Sequence, residues 1–428
     1  MNFRFSPFFS PKGTSFRARL IVAIFAGAAG MAGAAEPTPN LPPAEAVVRA
    51  LRDAPLVQAA RGQIVAEEAQ RQRLEAGPHE WTVRVGGQQR RAQPAGSPNE
   101  RYPEWNAALE RPLRLPGKGA LDARLGAQGV ALAETGYGDA LHEASRQLLQ
   151  HWFDWLRETA GARQWTQQVT LLDQQAKAVH RRQALGDAAR LESVQADAAL
   201  AQAESQLAQA RVRQQNAAEE LRRRYPALPL SEPDSIAEPA PIDGPADDWI
   251  AAILEHNHEW ALARGEADRA QLVAERSRRD RLPDPTVGLQ FSRERSGEEN
   301  VVGAYVSIPL PGEARRASSD ASTAHAAVAG HQAEAVKQKV TVEAASLVNA
   351  ARAATASWQA ARSAAERQTR SADMLARAYQ LGEGSLNDLL AARRLANEAQ
   401  LAAHQQQLDA LYLRYRLLLD THRLWDLD

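Results

Sequence analysis

The placement of proline constrains this chain more than any other feature of its sequence. The chain has 23 prolines, yet none lies between Gly117 and Tyr225 and none follows Gly312. Because proline breaks the interior of a helix, each of these two blocks can hold very long helices. Unbroken helices over residues 118–185 and 313–381 would each reach about 100 Å at ~1.5 Å per residue. Few globular domains use helices of that length.

Each block also contains one turn signal. Gly382 can take the positive φ that ends a helix, and Ser385 with Asp388 three residues later forms a capping box that begins the next helix. Two such turns at one constant offset predict an internal duplication. The matching positions are Leu185, Gly186 and Glu192 in the first block and Leu381, Gly382 and Asp388 in the second.

The duplication divides the chain into segments. We expect a signal peptide at 1–34, a first repeat at 35–225, a proline-rich linker at 226–246 and a second repeat at 247–428. Each repeat is predicted to run helix, β-hairpin, long helix, tip turn and returning helix. The hairpins are predicted at 80–113 and 285–310, and the tips near 186 and 382. The abundance of alanine favours close packing of these helices.

The N-terminal segment has the layout of a secretory signal. Basic residues precede an apolar run from Leu20 to Ala35, which ends in the small residues Ala32, Gly33 and Ala34. The chain has no cysteine, so disulfides, cysteine nucleophiles and a lipidated N-terminal cysteine are excluded. No later apolar run is long enough to span a membrane as a helix.

The predicted strands alternate apolar and polar residues with a period of two. In the first hairpin the apolar Val83 and Val85 alternate with the polar Arg84. In the second hairpin Val302, Ala304 and Val306 occupy every other position in the same way. This pattern suits strands that cross an outer membrane and equally suits a soluble β-sandwich, so both remain open. If the strands lie in a membrane, four of them leave open edges, and three copies of the chain would supply twelve.

The layout resembles the outer-membrane factors of bacterial efflux systems, the TolC-like family. The resemblance covers the chain from about Ala44 onward and is carried by the two tip motifs and by the strand exit at residues 306–312. It implies a mainly α fold with a small β part: a long coiled-coil α-helical barrel and four membrane strands per protomer, which complete a 12-stranded trimeric β-barrel. It also implies a homotrimer in outer-membrane lipid that meets a periplasmic adaptor and an inner-membrane pump, of the RND type. Within that family, the sequence as a whole resembles the heavy-metal cation branch more than the drug branch.

The same resemblance assigns roles to the tip residues. Asp388, and with weaker support Glu192, would line a periplasmic aperture at the threefold axis. Asp388 equally fits a simple helix cap, and both interpretations stay open. The turns would dock the adaptor through Leu185, Gly186, Leu381, Gly382, Ser385 and Arg393.

Other chemistry is not indicated. The formal net charge of -1 gives no argument for nucleic acid. Catalytic motifs are missing, so we expect no enzyme and no cofactor. His256 and His258, beside Glu255 and Glu259, are the densest candidate metal ligands, but a spacing of two places them on one side only if the backbone is extended. We therefore expect no metal site there, and we expect Trp152, Phe153 and Trp155 to pack between helices.

Two other functions compete with the export channel. A periplasmic adaptor also contains a long helical hairpin, but it has one hairpin, whereas this sequence duplicates the hairpin block. A secreted coiled-coil scaffold would leave the four amphipathic strands unexplained.

Overall fold

A computed structural model describes residues 39–93, 95–96 and 98–425. Contacts divide the chain after Pro39, and residues from Asn40 onward form one compact unit, to which the following description applies. The predicted signal peptide at 1–34 lies outside the described residues.

The two halves of this unit contain the same elements in the same order. Helices of 22, 67 and 35 residues in the first half match helices of 22, 68 and 35 residues in the second. The first half comprises α1 Ala44–Arg52, α2 Pro55–Ala76, β1 Thr82–Ala92, β2 Glu100–Pro112, α3 Lys118–Ala184 and α4 Arg190–Arg224. The second comprises α5 Ala246–His256, α6 His258–Arg279, β3 Thr286–Glu294, β4 Glu299–Ser307, α7 Glu313–Gln380 and α8 Leu386–Asp420, with a short 3-10 turn at Arg295–Gly297. The expected mainly α chain with a small β part is confirmed.

The long helices pack as hairpins. Helix α3 contacts α4, and α7 contacts α8; α3 also contacts α6 and α8, which joins the two halves into one unit. Half of the buried residues of α7 are alanine, and such small side chains let helix backbones approach closely. At ~1.5 Å per residue, α3 and α7 are each about 100 Å long.

The largest core lies where α1, α3, α4 and α8 meet. Trp152, Phe153 and Trp155 are buried there against Leu408 and Leu411. The interpretation of these aromatic residues as packing residues is therefore confirmed.

The proline-rich segment at 226–246 is fixed to the helices. The amide of Gln407 on α8 donates to the carbonyls of Ile236 and Ala237, and the Asn40 side chain accepts from the Ala237 N–H. This segment is therefore part of the packed body, which its proline content alone did not predict.

The four strands form one antiparallel sheet in the order β1-β2-β3-β4. Within the described residues, β1 and β4 each have one neighbouring strand. The register divides the side chains into two faces of opposite character. The apolar face carries Val83, Val85, Ala107, Leu109, Leu289, Phe291, Val302, Ala304 and Val306.

The opposite face of the sheet is held by ion pairs. Arg90 bridges Glu104 at 2.9 Å and Glu294 at 2.6 Å, and Arg84 pairs with Glu110 at 2.7 Å. The apolar face, in contrast, is uncovered in the chain: Val85 is 73% exposed and Val302 79%. No second layer packs on this face within the described residues, and these residues form one sheet of four strands.

An ionic cluster joins the halves where the helices meet the sheet. The Lys118 ammonium, 2% exposed, lies 2.9 Å from carboxylate oxygens of both Asp280 and Asp284. Nearby, Arg276 pairs with Asp122 at 2.6 Å. Because Lys118 and Asp122 begin α3 while Arg276 and Asp280 end α6, the cluster fixes these two helix ends to each other.

None of the helices described for this chain combines the length and the apolar character needed to cross a membrane.

Candidate functional site

The two tip turns have the same backbone geometry. Gly186 has φ 87° and Gly382 has φ 80°, both in the left-handed region that favours glycine. In each turn the glycine N–H donates to a carbonyl three residues earlier, and the next N–H donates to a carbonyl five residues earlier. This is a Schellman motif, which satisfies the carbonyls at a helix end. The duplication seen in the sequence is therefore present in the hydrogen bonds of the turns.

The helix that follows the second turn has the predicted cap. The Asp388 N–H donates to the Ser385 hydroxyl oxygen at 3.1 Å, and that hydroxyl donates to the Asp388 carboxylate at 2.7 Å. Asp388 is exposed. The cap of α8 by Ser385 is confirmed, and the location of the Asp388 carboxylate at an aperture stays a prediction.

The first turn uses its acidic residue differently. Helix α4 has no side-chain cap, and the Glu192 carboxylate instead accepts from the Tyr379 hydroxyl at 2.6 Å. The Arg182 guanidinium lies over the Tyr379 ring, 4.8 Å from its centre. Glu192 and Arg182 belong to the first hairpin and Tyr379 to the second, so this bond ties the two tips together. The location of Glu192 at an aperture stays a prediction.

The environment of Tyr379 favours the protonated form of its hydroxyl. Burial, and then the hydrogen bond to Glu192, raise the pKa of Tyr379 to about 12. The hydroxyl therefore keeps its proton throughout the neutral range. Tyr379 also packs in a small apolar core with Val179, Ala196, Leu386 and Leu389.

The remaining predicted tip residues fall into two groups. Leu185 and Leu381 are 78% and 66% exposed at the two turns, so each turn presents an apolar side chain to solvent. Arg393 is mostly covered and its guanidinium donates to Asp373 on α7 at 2.8 Å. Arg393 therefore clamps its own hairpin, and its predicted contact with an adaptor stays a prediction.

Sequence reasoning missed the roles of Tyr379 and Arg182. Both lie in the tip segments, three or four residues before the helix-ending glycines. The sequence offered one signal for these roles: an aromatic residue shortly before one glycine and a cation shortly before the other.

His256 and His258, the densest candidate metal ligands in the sequence, lie at the end of α5 and the start of α6. Within the described ranges, no three His, Asp or Glu side chains are oriented so as to hold a metal ion.

Comparisons with known proteins identify the fold. No protein-family model matches the chain, and no curated protein matches it in sequence. Among solved structures, the chain is similar to the outer membrane protein VceC of Vibrio cholerae, with 17% identity, a TM-score of 0.73 and coverage of 88% of this chain and 95% of that one. A membrane protein of Pseudomonas aeruginosa gives 16% identity, a TM-score of 0.75 and coverage of 88% and 93%. The CmeC outer membrane channel of Campylobacter jejuni gives 14% identity, a TM-score of 0.73 and coverage of 90% of this chain and 86% of that one.

The chain has the TolC-like fold. In this fold the duplicated tips lie at one end of the long helices and the four-stranded sheet at the other, because α3 and α7 each run from the sheet to a tip.

The tip bond yields a prediction for Tyr379→Phe, which removes the hydroxyl and keeps the ring. A hydrogen bond to a charged group contributes about 1.5 kcal/mol, so we expect roughly tenfold faster amide exchange in both tip segments, measured by hydrogen–deuterium exchange mass spectrometry. In the unmodified chain the bond's contribution is fully present below the unfolded tyrosine pKa of about 10. It is lost as the pH rises through the folded value of about 12.

The matched control is Tyr412→Phe. The Tyr412 hydroxyl donates to Gln150 at 2.7 Å in the helical body, so its removal leaves the tips unchanged. Equal tip protection in the Tyr379→Phe variant and the unmodified chain would show that this bond does not hold the tips together.

Proposed function

We propose that three copies of this chain form a channel across the outer membrane, the outermost component of an efflux system. The observation that carries the proposal is the open sheet, with one exposed apolar face, one ion-paired polar face and two unpaired edges. Unpaired backbone groups are not tolerated in lipid, so such a sheet enters a membrane only as part of a closed barrel. Three copies supply twelve strands and pair every edge.

The dimensions of the apolar face support a membrane location. Two tryptophans bound the face. The Arg111 guanidinium lies over the Trp81 ring, 5.4 Å from its centre, and the ring centres of Trp105 and Phe291 are 5.4 Å apart. Trp81 and Trp105 lie about six strand positions apart, or about 20 Å at ~3.4 Å per residue. Membrane barrels have an apolar band about 25 Å tall between aromatic girdles.

The polar face of the sheet would then line the pore. The ion pairs of Arg90 with Glu104 and Glu294 lie on this face, and a polar interior is the rule in water-filled barrels. The helices of the three chains would continue the pore as a tunnel of about 100 Å through the periplasm.

The tips would form the periplasmic mouth. The exposed leucines Leu185 and Leu381 suit contact with a periplasmic adaptor, which would connect the channel to an inner-membrane pump of the RND type. The Glu192–Tyr379 bond would hold the mouth narrow, and the exposed Asp388 would contribute one carboxylate from each chain near the axis. Transport of heavy-metal cations stays a prediction from the family resemblance.

The competing functions have less support. An adaptor has one helical hairpin, whereas here two hairpins of matching length stand side by side. A secreted scaffold would expose the apolar face of the sheet to water, which soluble proteins avoid over a patch of this kind.

A charge on the apolar face tests the membrane location. Val302→Arg should lower the stability of the inserted protein by about 2–4 kcal/mol, because the guanidinium would enter lipid. Gln290→Arg, on the polar face of the neighbouring strand, is the matched control and should be tolerated. The measurement is the fraction of each variant that folds into isolated outer membranes.

In water, Val302→Arg on an exposed surface would change stability by less than about 0.5 kcal/mol, so equal yields of the two variants would contradict a lipid-facing sheet.

Charge at Asp388 tests the channel itself. In planar bilayers, purified protein should form cation-preferring pores, and Asp388→Asn should lower the cation preference several-fold while the amide oxygen keeps the cap. Asp388→Lys should lower it further, or reverse it. Glu398→Gln, at another exposed carboxylate of α8, is the control and should have a smaller effect. The absence of conductance would contradict the channel proposal. Conductance with the same ion selectivity in the Asp388 variants would contradict only the role of Asp388 at the aperture.

A further inference from the structure

Three arginines lie on the apolar face of the sheet, at the end of the strands away from the helices. Arg91 follows Val85 on β1 in steps of two, and the register pairs Arg91 with Arg101 and Arg293 with Trp105. All three arginine side chains are exposed. The helices connect to the other ends of the strands, so these residues, termed the rim arginines, lie near the hairpin turns.

The strand carboxylates at the same end belong to the opposite face of the sheet. By the register they are Glu100, Glu104, Glu294 and Glu299. Arg90, also on that face, pairs with Glu104 and Glu294, and Arg295 in the turn pairs with Glu299 at 3.1 Å. In contrast, no carboxylate among the described residues pairs with a rim arginine. The chain therefore neutralises the arginines of one face and leaves a net positive charge on the other.

Two of the rim arginines face each other across neighbouring strands. Arg91 and Arg101 occupy directly opposite positions of β1 and β2, where like charges destabilise a sheet. An anion between the two guanidinium groups would remove this repulsion. Phosphate suits them, because arginine binds phosphate oxygens through paired N–H donors. The arrangement is thus unfavourable in the chain alone and favourable with a bound phosphate.

The rim arginines would lie at the membrane surface if the sheet crosses the outer membrane. Arg293 is level with Trp105, one of the two tryptophans that bound the apolar face. Arg101 lies four residues beyond Trp105 on β2 (positions 105 to 101), or about 14 Å at ~3.4 Å per residue. Arginine on a lipid-facing strand is costly at the middle of a membrane and tolerated near its surface, where lipid headgroups carry their phosphates.

We infer that the rim arginines bind the phosphate groups of an anionic lipid in the outer leaflet of the outer membrane. Arg91 and Arg101 hold one phosphate between them, and Arg293 contacts the headgroup layer beside Trp105. The inference rests on the proposed membrane location of the sheet and adds a ligand to it. In a trimer, three side chains from each chain would form a basic ring around the outer end of the barrel.

Lipid binding by the full chain, purified in a nonionic detergent, tests this inference. The probes are diphosphoryl lipid A, a glycolipid with two phosphates, and its monophosphoryl form, and native mass spectrometry measures the lipid retained. The diphosphoryl form should bind more tightly. A basic side chain near anionic lipid contributes about fivefold in affinity. Arg91→Gln, Arg101→Gln and Arg293→Gln together should therefore weaken binding on the order of a hundredfold.

A single substitution separates lipid binding from folding. Arg91→Gln removes the repulsion with Arg101, so this variant should fold at least as well in detergent without anionic lipid. It should bind diphosphoryl lipid A about fivefold more weakly. The lipid should therefore raise the thermal unfolding temperature of the unmodified protein more than that of the variant.

The control is Arg295→Gln, which removes a guanidinium already paired with Glu299 and should bind the lipid like the unmodified protein. The inference is overturned if the triple variant binds diphosphoryl lipid A as tightly as the unmodified protein, or if Arg295→Gln loses as much affinity as Arg91→Gln. Equal binding of both lipid forms, or displacement of the lipid by an equal concentration of inorganic phosphate, would also overturn it. With any of these results, particles of three chains would leave the proposed channel intact, whereas a soluble single chain would contradict the channel and the lipid site together.

Discussion

A four-stranded sheet that the described residues leave open at both edges is the constraint on which the rest of this structure depends. Strands β1 and β4 leave backbone donors and acceptors unpaired at both edges, and the face with Val85 and Val302 has no layer against it within the described residues. In water this combination invites aggregation. In lipid the apolar face is stable, but then the edges have to be paired. Both requirements are met together if copies of the chain close the sheet into a barrel.

The internal duplication builds everything else around that sheet. Each repeat supplies one β-hairpin and one long helical hairpin, and the repeats are joined at both ends. Near the sheet the buried Lys118 holds Asp280 and Asp284 of the other repeat, and at the tips Tyr379 holds Glu192. The two repeats are therefore fixed to each other at both ends of the long helices, and at the tips one polar bond makes the connection.

Local signals predicted most of the fold. The proline-free blocks gave α3 and α7 to within one residue of their ends, and alternation gave both hairpins, because helix and strand periods are encoded between near neighbours. The capping of α8 by Ser385 and the positive φ of Gly186 and Gly382 were likewise local. The choice between a membrane sheet and a soluble sandwich was not, since both alternate with a period of two. The register and the uncovered apolar face, which support the proposed membrane sheet, depend on pairing between distant strands.

The contacts that could not be predicted join residues far apart in the chain. Packing brings three such pairs together, and no local pattern marks them. The pairs are Lys118 with Asp284, Glu192 with Tyr379, and His142 with His422. His258 illustrates the difference: its spacing from His256 was visible in the sequence, but the rings it contacts, His142 and His422, come from α3 and from the end of α8.

The assembly of the sheet is tested most directly by the native mass of the protein extracted in detergent from the outer-membrane fraction. Closure of a twelve-stranded barrel predicts particles of three chains, found in that fraction and not in the soluble periplasm. A single chain recovered from the soluble periplasmic fraction would contradict it.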